Sequence, residues 1–458
     1  MEVASIKYNS VLEGSRILKP NYHLNYGKKR VAMALKNGYL FTPLGKLAKE
    51  IYTGGIFKRV FVEKQEYGLP YISAQHMMNS NPLDVAKLIS KKYTPRQNDM
   101  TLRERQILVS CAGTVGNVRL IGSDLDGIIG SQDIIRIIAD ESKMPFGFLY
   151  AYLASDTAYN FIQSFIYGSV VPRIEPNTLS TLPVPMLGEK RVNECNKLIE
   201  DSLDIRNQAI KKLNEAIQLI EAKLPPLIST KFYGVSLSKL FNYRKRFEST
   251  IQVNTIDNFY AVLNERGTIC KTITELSEKV FTPGIFKRIK VNKSAKSVPY
   301  LGGAELLNFR PKLDTYLSHN TKNLSDYLLK KGYLTLQDSG SIQSMGYVSI
   351  IPGHLDGVAA TNNLVRVVPK MEENYNAYIF AFLQSNQANT IIKRLAYGTG
   401  QLHIDTKIVE GLKIPIFNDI KSKVDECILN YMSFIEKSYE MERKAIEIIE
   451  QGIESWQK

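Results

Sequence analysis

The chain repeats itself. GGIFKR at residues 54–59 recurs as PGIFKR at residues 283–288, 229 positions on, and the same offset carries Pro70-Tyr71 onto Pro299-Tyr300. An offset of 230 carries Asp126-Gly127 onto Asp356-Gly357, Arg136 onto Arg366, Tyr167-Gly168 onto Tyr397-Gly398 and Pro185 onto Pro415. Matches kept in one order along nearly half of a 458-residue chain, drifting by one residue, mark a duplicated unit. Whatever one half folds into, the other must also fold into, and two to three domains are what this length allows.

Each copy has two parts. Residues 1–187 and 225–417 carry short β-like runs such as RQILVSCAG, GIIGSQDIIRIIA, YVSIIPG and NNLVRVVP, punctuated by Gly, Pro and Asn. One helical stretch follows the strands, FGFLYAYLASDTAYNFIQSF in the first copy and NAYIFAFLQSNQANTIIKRL in the second. The pattern predicts a mixed α/β domain with a curved sheet. Residues 188–224 and 418–458 are almost free of Gly and Pro and predict one long helix each. In the first, Ile199, Leu203, Arg206, Ile210, Leu213, Ile217, Ile220 and Leu224 follow at alternating steps of four and three. Ile428, Met432, Ile435, Tyr439, Glu442, Ile446, Ile449, Ile453 and Trp456 do so in the second. A seam repeating every 3.5 residues suits two helices that supercoil about each other. Each seam has one charged fault, and the two are of opposite sign. A buried charge is costly unless an opposite charge meets it. Arg206 is therefore expected to face Glu442 in an antiparallel coiled coil, with Leu224 opposite Val424 and Val192 opposite Trp456. A pseudo-twofold axis relating the two copies would demand the same antiparallel arrangement.

Composition bears on the partner and on chemistry. With 59 Lys and Arg against 45 Asp and Glu, the net charge of +14 favours a polyanion through phosphate neutralisation and counterion release. No stretch approaches the roughly 18 to 20 apolar residues of a membrane span, and the start, MEVASIKYNSVLEG, lacks the basic head and apolar core of a signal peptide. A cytoplasmic protein is expected. Four cysteines and five histidines are scattered without metal-ligand spacing, so neither a zinc site nor a disulfide framework is expected. The chain has no NPPY or DPPY tetrapeptide, no GxxxxGK[ST] phosphate loop and no glycine-rich cofactor loop. A loose acid-then-ExK pattern, Asp133 with Glu141-Ser142-Lys143, is lost in the second copy, which has Asn363 and no ExK. These features predict no catalytic residue, no metal and no cofactor in the chain itself.

Two further segments carry a resemblance. The first α/β domain ends in Tyr167-Gly168-Ser169-Val170-Val171-Pro172-Arg173-Ile174 followed by Leu182-Pro183-Val184-Pro185. In the second copy the same place reads Tyr397-Gly398-Thr399-Gly400-Gln401-Leu402-His403-Ile404, then Leu412-Lys413-Ile414-Pro415. With the order domain, helix, domain, helix, the whole chain resembles the specificity subunits of type I restriction-modification systems. SCAGTVG at residues 110–116 resembles the family's glycine turn, from which DSGSIQS at residues 338–344 departs. Arg246-Phe247-Glu248 resembles the family's Arg-x-Asp/Glu opening, whose acid is lost at Arg16-Ile17-Leu18. The resemblance implies a subunit without an active site that supplies the address on double-stranded DNA. It would serve two methyltransferase subunits and, for cleavage, restriction subunits, in which S-adenosylmethionine, ATP and magnesium act. Alternatives are the specificity subunit of a type IIG-like or other defence methyltransferase, and a basic scaffold for an acidic protein partner.

The resemblance places the DNA contacts in loops at one end of each domain. Phosphate contact is expected from Lys58 and Arg59 and from their repeat mates Lys287 and Arg288, two adjacent cations delivered by a glycine turn. Base readers should differ between the copies, because domains that read different half-sites cannot share their specifying residues. The divergent positions are Asn117, Arg119, Ser169 and Arg173 in the first copy and Gln343, Ser344, Thr399, Gln401 and His403 in the second. A helix of some 35 residues is about 50 Å long, comparable to one and a half turns of B-DNA, so two dissimilar half-sites with an unread spacer are expected.

Overall fold

The computed structural model describes residue 8 and residues 20–168, 170–228, 234–242, 254–340 and 345–457. The chain forms two compact units, Met1–Asn207 with Lys437–Lys458, and Gln208–Glu436. The boundary falls inside both long helices, so each unit holds one α/β domain and a part of each helix.

The strands of the first unit are β1 (Phe41–Pro43), β2 (Ala48–Tyr52), β3 (Phe61–Val62), β4 (Gly68–Ile72), β5 (Lys87–Ser90), β6 (Ile107–Ser110), β7 (Val118–Leu120), β8 (Ile129–Gly130), β9 (Ile134–Ala139) and β10 (Pro183–Pro185). A large antiparallel sheet runs β2-β9-β6-β7. A small sheet runs β3-β5-β4-β8, parallel only between β4 and β8, and β1 pairs with β10. β6 and β7 are buried on both faces, which is why ILVS and VRL read as continuous runs rather than alternations. The helix Phe146–Leu153 is apolar all round and wholly buried against that sheet.

The second unit repeats this plan with β11 (Ile269–Thr272), β12 (Ser277–Phe281), β13 (Lys290–Val291), β14 (Ser297–Leu301), β15 (Tyr316–Ser318), β16 (Leu334–Gln337), β17 (Ser339–Gly340), β18 (Val348–Ile350), β19 (Ala359–Ala360), β20 (Leu364–Pro369), β21 (Leu402–His403) and β22 (Lys413–Ile416). Its sheets β12-β20-β16-β18, β13-β15-β14-β19 and β11-β22 match the first unit strand for strand, and β17 pairs with β21 in addition. Even a flaw recurs: β2 shifts register between Ala48 and Glu50 against β9, and β12 between Ser277 and Lys279 against β20. A β-bulge kept in both copies is a built feature of the sheet edge.

The long helices span Glu189–Glu221, 33 residues, and Asn418–Ser455, 38 residues. Within each unit their segments pack antiparallel. In the first, Cys195 Sγ lies 3.5 Å from the Ala445 carbonyl, while Ser202 Oγ donates to Ser438 O at 2.8 Å and Ser438 Oγ to Ser202 O at 2.9 Å. In the second, Lys223 Nζ meets Asp419 Oδ2 at 2.5 Å and Lys423 Nζ meets Glu215 Oε1 at 3.4 Å. The register differs from the expected one. Ser202, not Arg206, lies directly across from Ser438, so Leu224 does not face Val424 and Val192 does not face Trp456. The cause is a row of small buried residues, Cys195, Ser202, Ala209 and Ala216 in one helix and Ser438 and Ala445 in the other. They let the backbones approach, whereas the larger Ile210 and Ile217 of the expected seam are only half-buried.

Arg206 and Glu442 meet all the same. Each lies one turn past the facing serines, in opposite directions along the helix axis, and the side chains close the gap, with Arg206 Nη1 3.7 Å from Glu442 Oε2. Glu442 Oε1 also accepts from Tyr150 Oη at 2.7 Å, and Arg206 Nη2 donates to Leu120 O at 3.1 Å. Among the described residues no helix is long and apolar enough to cross a membrane.

Candidate nucleic-acid interface

In both copies the GIFKR turn is fixed from below. Phe57 packs against Tyr71, Ile89, Met100 and Ile129, and Phe286 against Tyr300, Leu317 and Tyr327, the last at 3.9 Å between ring centres. Gly54 sits so close to Met100 that a Cβ would lie 1.7 Å from its sulfur, and Gly55 takes the left-handed backbone at φ +74°. On this footing Lys58, Arg59, Lys287 and Arg288 are all exposed. Arg59 Nη1 donates to Tyr71 Oη at 3.3 Å. Arg288 lies over the Phe286 and Tyr300 rings, and its Nη2 donates to Asn362 Oδ1 at 3.2 Å.

The Tyr-Gly motif is a small hairpin. Tyr167 and Arg173 exchange two backbone hydrogen bonds of 3.0 Å, and Tyr397 and His403 do the same at 3.0 and 2.7 Å. Closure brings Val171 O within 2.7 Å of where a Cβ on Gly168 would be, and Gln401 O within 2.3 Å at Gly398, with φ +86° and +112° at the two glycines. Only glycine fits there. The second divergent loop lies alongside. In the first unit Gly113 N donates to Pro172 O and Ile174 N to Cys111 O, both at 3.0 Å. In the second, β17 pairs with β21 and Ile404 N donates to Asp338 O at 2.7 Å. In each unit the residues that lead into the second divergent segment are thus hydrogen-bonded to the hairpin. In the second unit the connection runs on toward the cationic turn, since Asp338 N donates to Asn363 O, beside the Asn362 that accepts from Arg288; in the first, Arg173 Nη2 is 3.8 Å from Asp133 Oδ1.

Arg173, Thr399 and Gln401 are exposed on these loops, while Asn117 and His403 are half-buried. The Asn117 N–H donates to Ser110 Oγ at 3.0 Å, and His403 leans on Tyr397 at 5.9 Å between ring centres. Ser169, Gln343 and Ser344 lie outside the described residues, as do Arg16-Ile17-Leu18 and Arg246-Phe247-Glu248. Arg119 is a correction. It sits inside β7 and is 1 % exposed, with Nη1 donating to Met77 O at 2.7 Å and Asn79 O at 2.6 Å. Burial pushes its guanidinium down to about 10. Its guanidinium is enclosed by the fold, so it is not placed to read a base.

Sequence reasoning also passed over residues that matter to this surface. Arg136 and Arg366, noted only as repeat matches, are fully buried rivets between the two sheets. Arg136 donates to Gly130 O, Ile134 O and Met100 O at 2.8 to 3.0 Å, and Arg366 to Leu364 O and Thr361 O at 3.0 and 3.2 Å. They fix the turns that carry Asp133 and Asn362. Val170, at the tip of the first hairpin, is 91 % exposed, and Ile56 and Ile285 stand exposed on the GIFKR turns. No polarity signal marks these apolar tips; only their place in a turn does. Among the described residues no group of three His, Cys, Asp or Glu side chains is placed to hold a metal ion.

Cation-bearing turns beside paired loops of divergent sequence, built twice on one scaffold, are the parts of a duplicated nucleic-acid reader. The chain belongs to the type I restriction-modification DNA specificity family, whose domain model matches residues 44–221 and 270–451. Its function is DNA specificity, and subunits of this family are in general non-catalytic. Among solved structures, the chain is similar to the type I restriction-modification system S subunit from M. genitalium, at 14% identity over 92% of this chain and 96% of that one, with a TM-score of 0.36. It is also similar to the HsdS subunit from Thermoanaerobacter tengcongensis, at 13% identity over 91% of this chain and 96% of that one, with a TM-score of 0.28. No curated protein matches the chain.

Proposed function

We propose that the chain reads a bipartite, asymmetric target in double-stranded DNA, one half-site through residues 1–187 and the other through residues 225–417. It docks two methyltransferase subunits and, for cleavage, restriction subunits. It performs no chemistry itself; S-adenosylmethionine, ATP and magnesium act in those partners, in the cytoplasm. The observation that carries the reading is the contrast inside the repeat. The hairpins at Tyr167 and Tyr397 keep the same backbone closure while their side chains differ, SVVPR in one and TGQLH in the other. A shared scaffold with unlike reading groups is what two unlike half-sites require. Phosphate contact falls to Lys58, Arg59, Lys287 and Arg288, and base contact to Asn117, Arg173, Thr399, Gln401 and His403, with Ser169, Gln343 and Ser344. The length of the long helices is the ground for an unread spacer between the half-sites.

The test is selection of bound sequences from a random duplex pool by the full chain, with and without a methyltransferase subunit, over a range of salt. Two short dissimilar elements at fixed spacing, bound with steep salt dependence, are expected. Binding of acidic protein with no duplex preference would mean a scaffold instead. Methylation or cutting by the purified chain alone, abolished by a point mutation in it, would overturn the non-catalytic assignment.

A further inference from the structure

We propose that Ile56 and Ile285 are apolar wedges that enter the duplex beside the phosphates held by the adjoining Lys-Arg pairs. The inference rests on the DNA-reading function and adds to it a contact that is common to both half-sites. Ile56 is 87 % exposed and Ile285 is 94 % exposed, at the same position of the repeated turn. A β-branched apolar side chain held in water gains nothing until something covers it. Neither isoleucine is loosely held, since Phe57 and Phe286, one residue on, are packed into the small cores below. The turns therefore present the isoleucines outward on a fixed base.

Charge says what the cover is. Between residues 55 and 93, Lys58, Arg59, Lys64, Lys87, Lys91 and Lys92 stand against Glu63, Glu66 and Asp84. Between residues 284 and 322 the cations outnumber the acids further, with Glu305 and Asp314 as the only carboxylates. An apolar tip set among cations fits a polyanion with an apolar interior, and stacked bases between phosphates are that. Side chains such as Ile are used to part base steps and widen or kink a groove. The repeat separates this role from sequence reading. The hairpin residues diverge between the copies, as readers of different bases must, but Ile-Phe-Lys-Arg is kept in both. What is kept serves what the half-sites share, the stacked and charged duplex, and deformation can tune specificity without a base-edge contact.

The experiment uses the full chain and its selected duplex, with 2-aminopurine placed in turn at each position of both half-sites. The wild type is expected to raise fluorescence at one step in each half-site. Ile56→Ser should abolish the signal in one half-site only, Ile285→Ser in the other, each with binding weakened by about tenfold. The slope of affinity against salt should stay as in the wild type, whereas the pair Lys58→Ala and Arg59→Ala should flatten it. Melting temperatures should not move, since both positions are exposed. Serine variants that bind and unstack like the wild type would overturn the wedge and leave DNA reading intact. So would a loss confined to methyltransferase-subunit binding, which would make the isoleucines a protein contact. Failure of the wild type to bind any duplex would remove the DNA-reading function itself.

Discussion

Arg119 and Arg136 donate from the ends of their guanidinium groups to main-chain carbonyls, and the cost of removing such a group is set by the acceptors it leaves behind. Arg119→Ala strips Met77 O and Asn79 O of their partner inside a packed strand, so it should lower stability by about 2 to 4 kcal/mol while leaving the first half-site's base preference unchanged. Denaturant unfolding beside sequence selection checks both halves; a changed preference at full stability would restore Arg119 as a reader. In the sequence Arg119 had the look of a loop residue because it follows Gly116-Asn117, yet its neighbours Val118 and Leu120 are strand residues buried on both faces. His354 makes a second residue-scale case. Burial pushes its ring down to about 4 from the usual 6.5, with Glu436 opposing. The folded form therefore binds the proton less readily than the unfolded chain does. The stability this residue secures is whole above pH 6.5 and is lost as the pH falls toward 4, by about 2 to 3 kcal/mol. His354→Gln should flatten that part of the pH–stability curve. An unchanged curve in the variant would contradict the burial argument. Nothing in the sequence marks His354, because a lone histidine gives no sign of its depth.

At the scale of the helix pair, the two charged faults were legible as partners while the register was not. Large apolar residues dominate a heptad reading, but the contact is made where residues are small, at Cys195, Ser202, Ala209 and Ala216, and small residues carry little weight in any hydrophobic pattern. Tyr150, too, gave no signal, since its hydroxyl is one of only two in the otherwise apolar helix FGFLYAYL, and the other, on Tyr152, donates to the Pro183 carbonyl. The repeat supplies a control. Carried onto the second copy, Tyr150, Arg206 and Glu442 become Phe380, Ile435 and Leu213, and Phe380 and Leu213 lie in the apolar core of their own unit. A charged cluster and an apolar one thus occupy equivalent places. Removing one member of a buried pair strands the other charge, whereas replacing the set by apolar groups of similar size is often neutral or better. Glu442→Leu alone should cost about 3 to 5 kcal/mol, and the triple change Tyr150→Phe, Arg206→Ile and Glu442→Leu should recover most of it. Unfolding curves for the single and triple variants give the comparison. A triple variant less stable than the single one would show the cluster to be net stabilising.

For the whole molecule, the duplication was readable because glycines, prolines and buried arginines that geometry demands stay fixed while the loops between them drift. Gly168 and Gly398 must be glycine to let the hairpin close, and Arg136 and Arg366 must reach the same carbonyls, so these positions held the repeat together in the sequence. What could not be read was depth and adjacency: which polar groups lie buried in a strand, and that Cys111 and Ile174, or Asp338 and Ile404, far apart in the chain, hydrogen-bond to each other. That adjacency makes the final prediction sharper than divergence alone would. Gln401 is exposed and His403 half-buried on the second hairpin, and His403 pairs with Ser339 of β17 within the same unit. Replacing Gln401 and His403 should change the bases selected in one half-site by about 1 to 3 kcal/mol per lost contact. The other half-site should stay as it was, because Arg173 and Asn117 belong to a separate unit with its own core. Selection from a random pool with the Gln401→Ala and His403→Ala variants reads both half-sites in one experiment. If both half-sites relax together, the two domains are energetically coupled and the reading loops do not act alone. If neither does, base contact comes from other residues of that domain, and Thr399, Gln343 and Ser344 are the next to change.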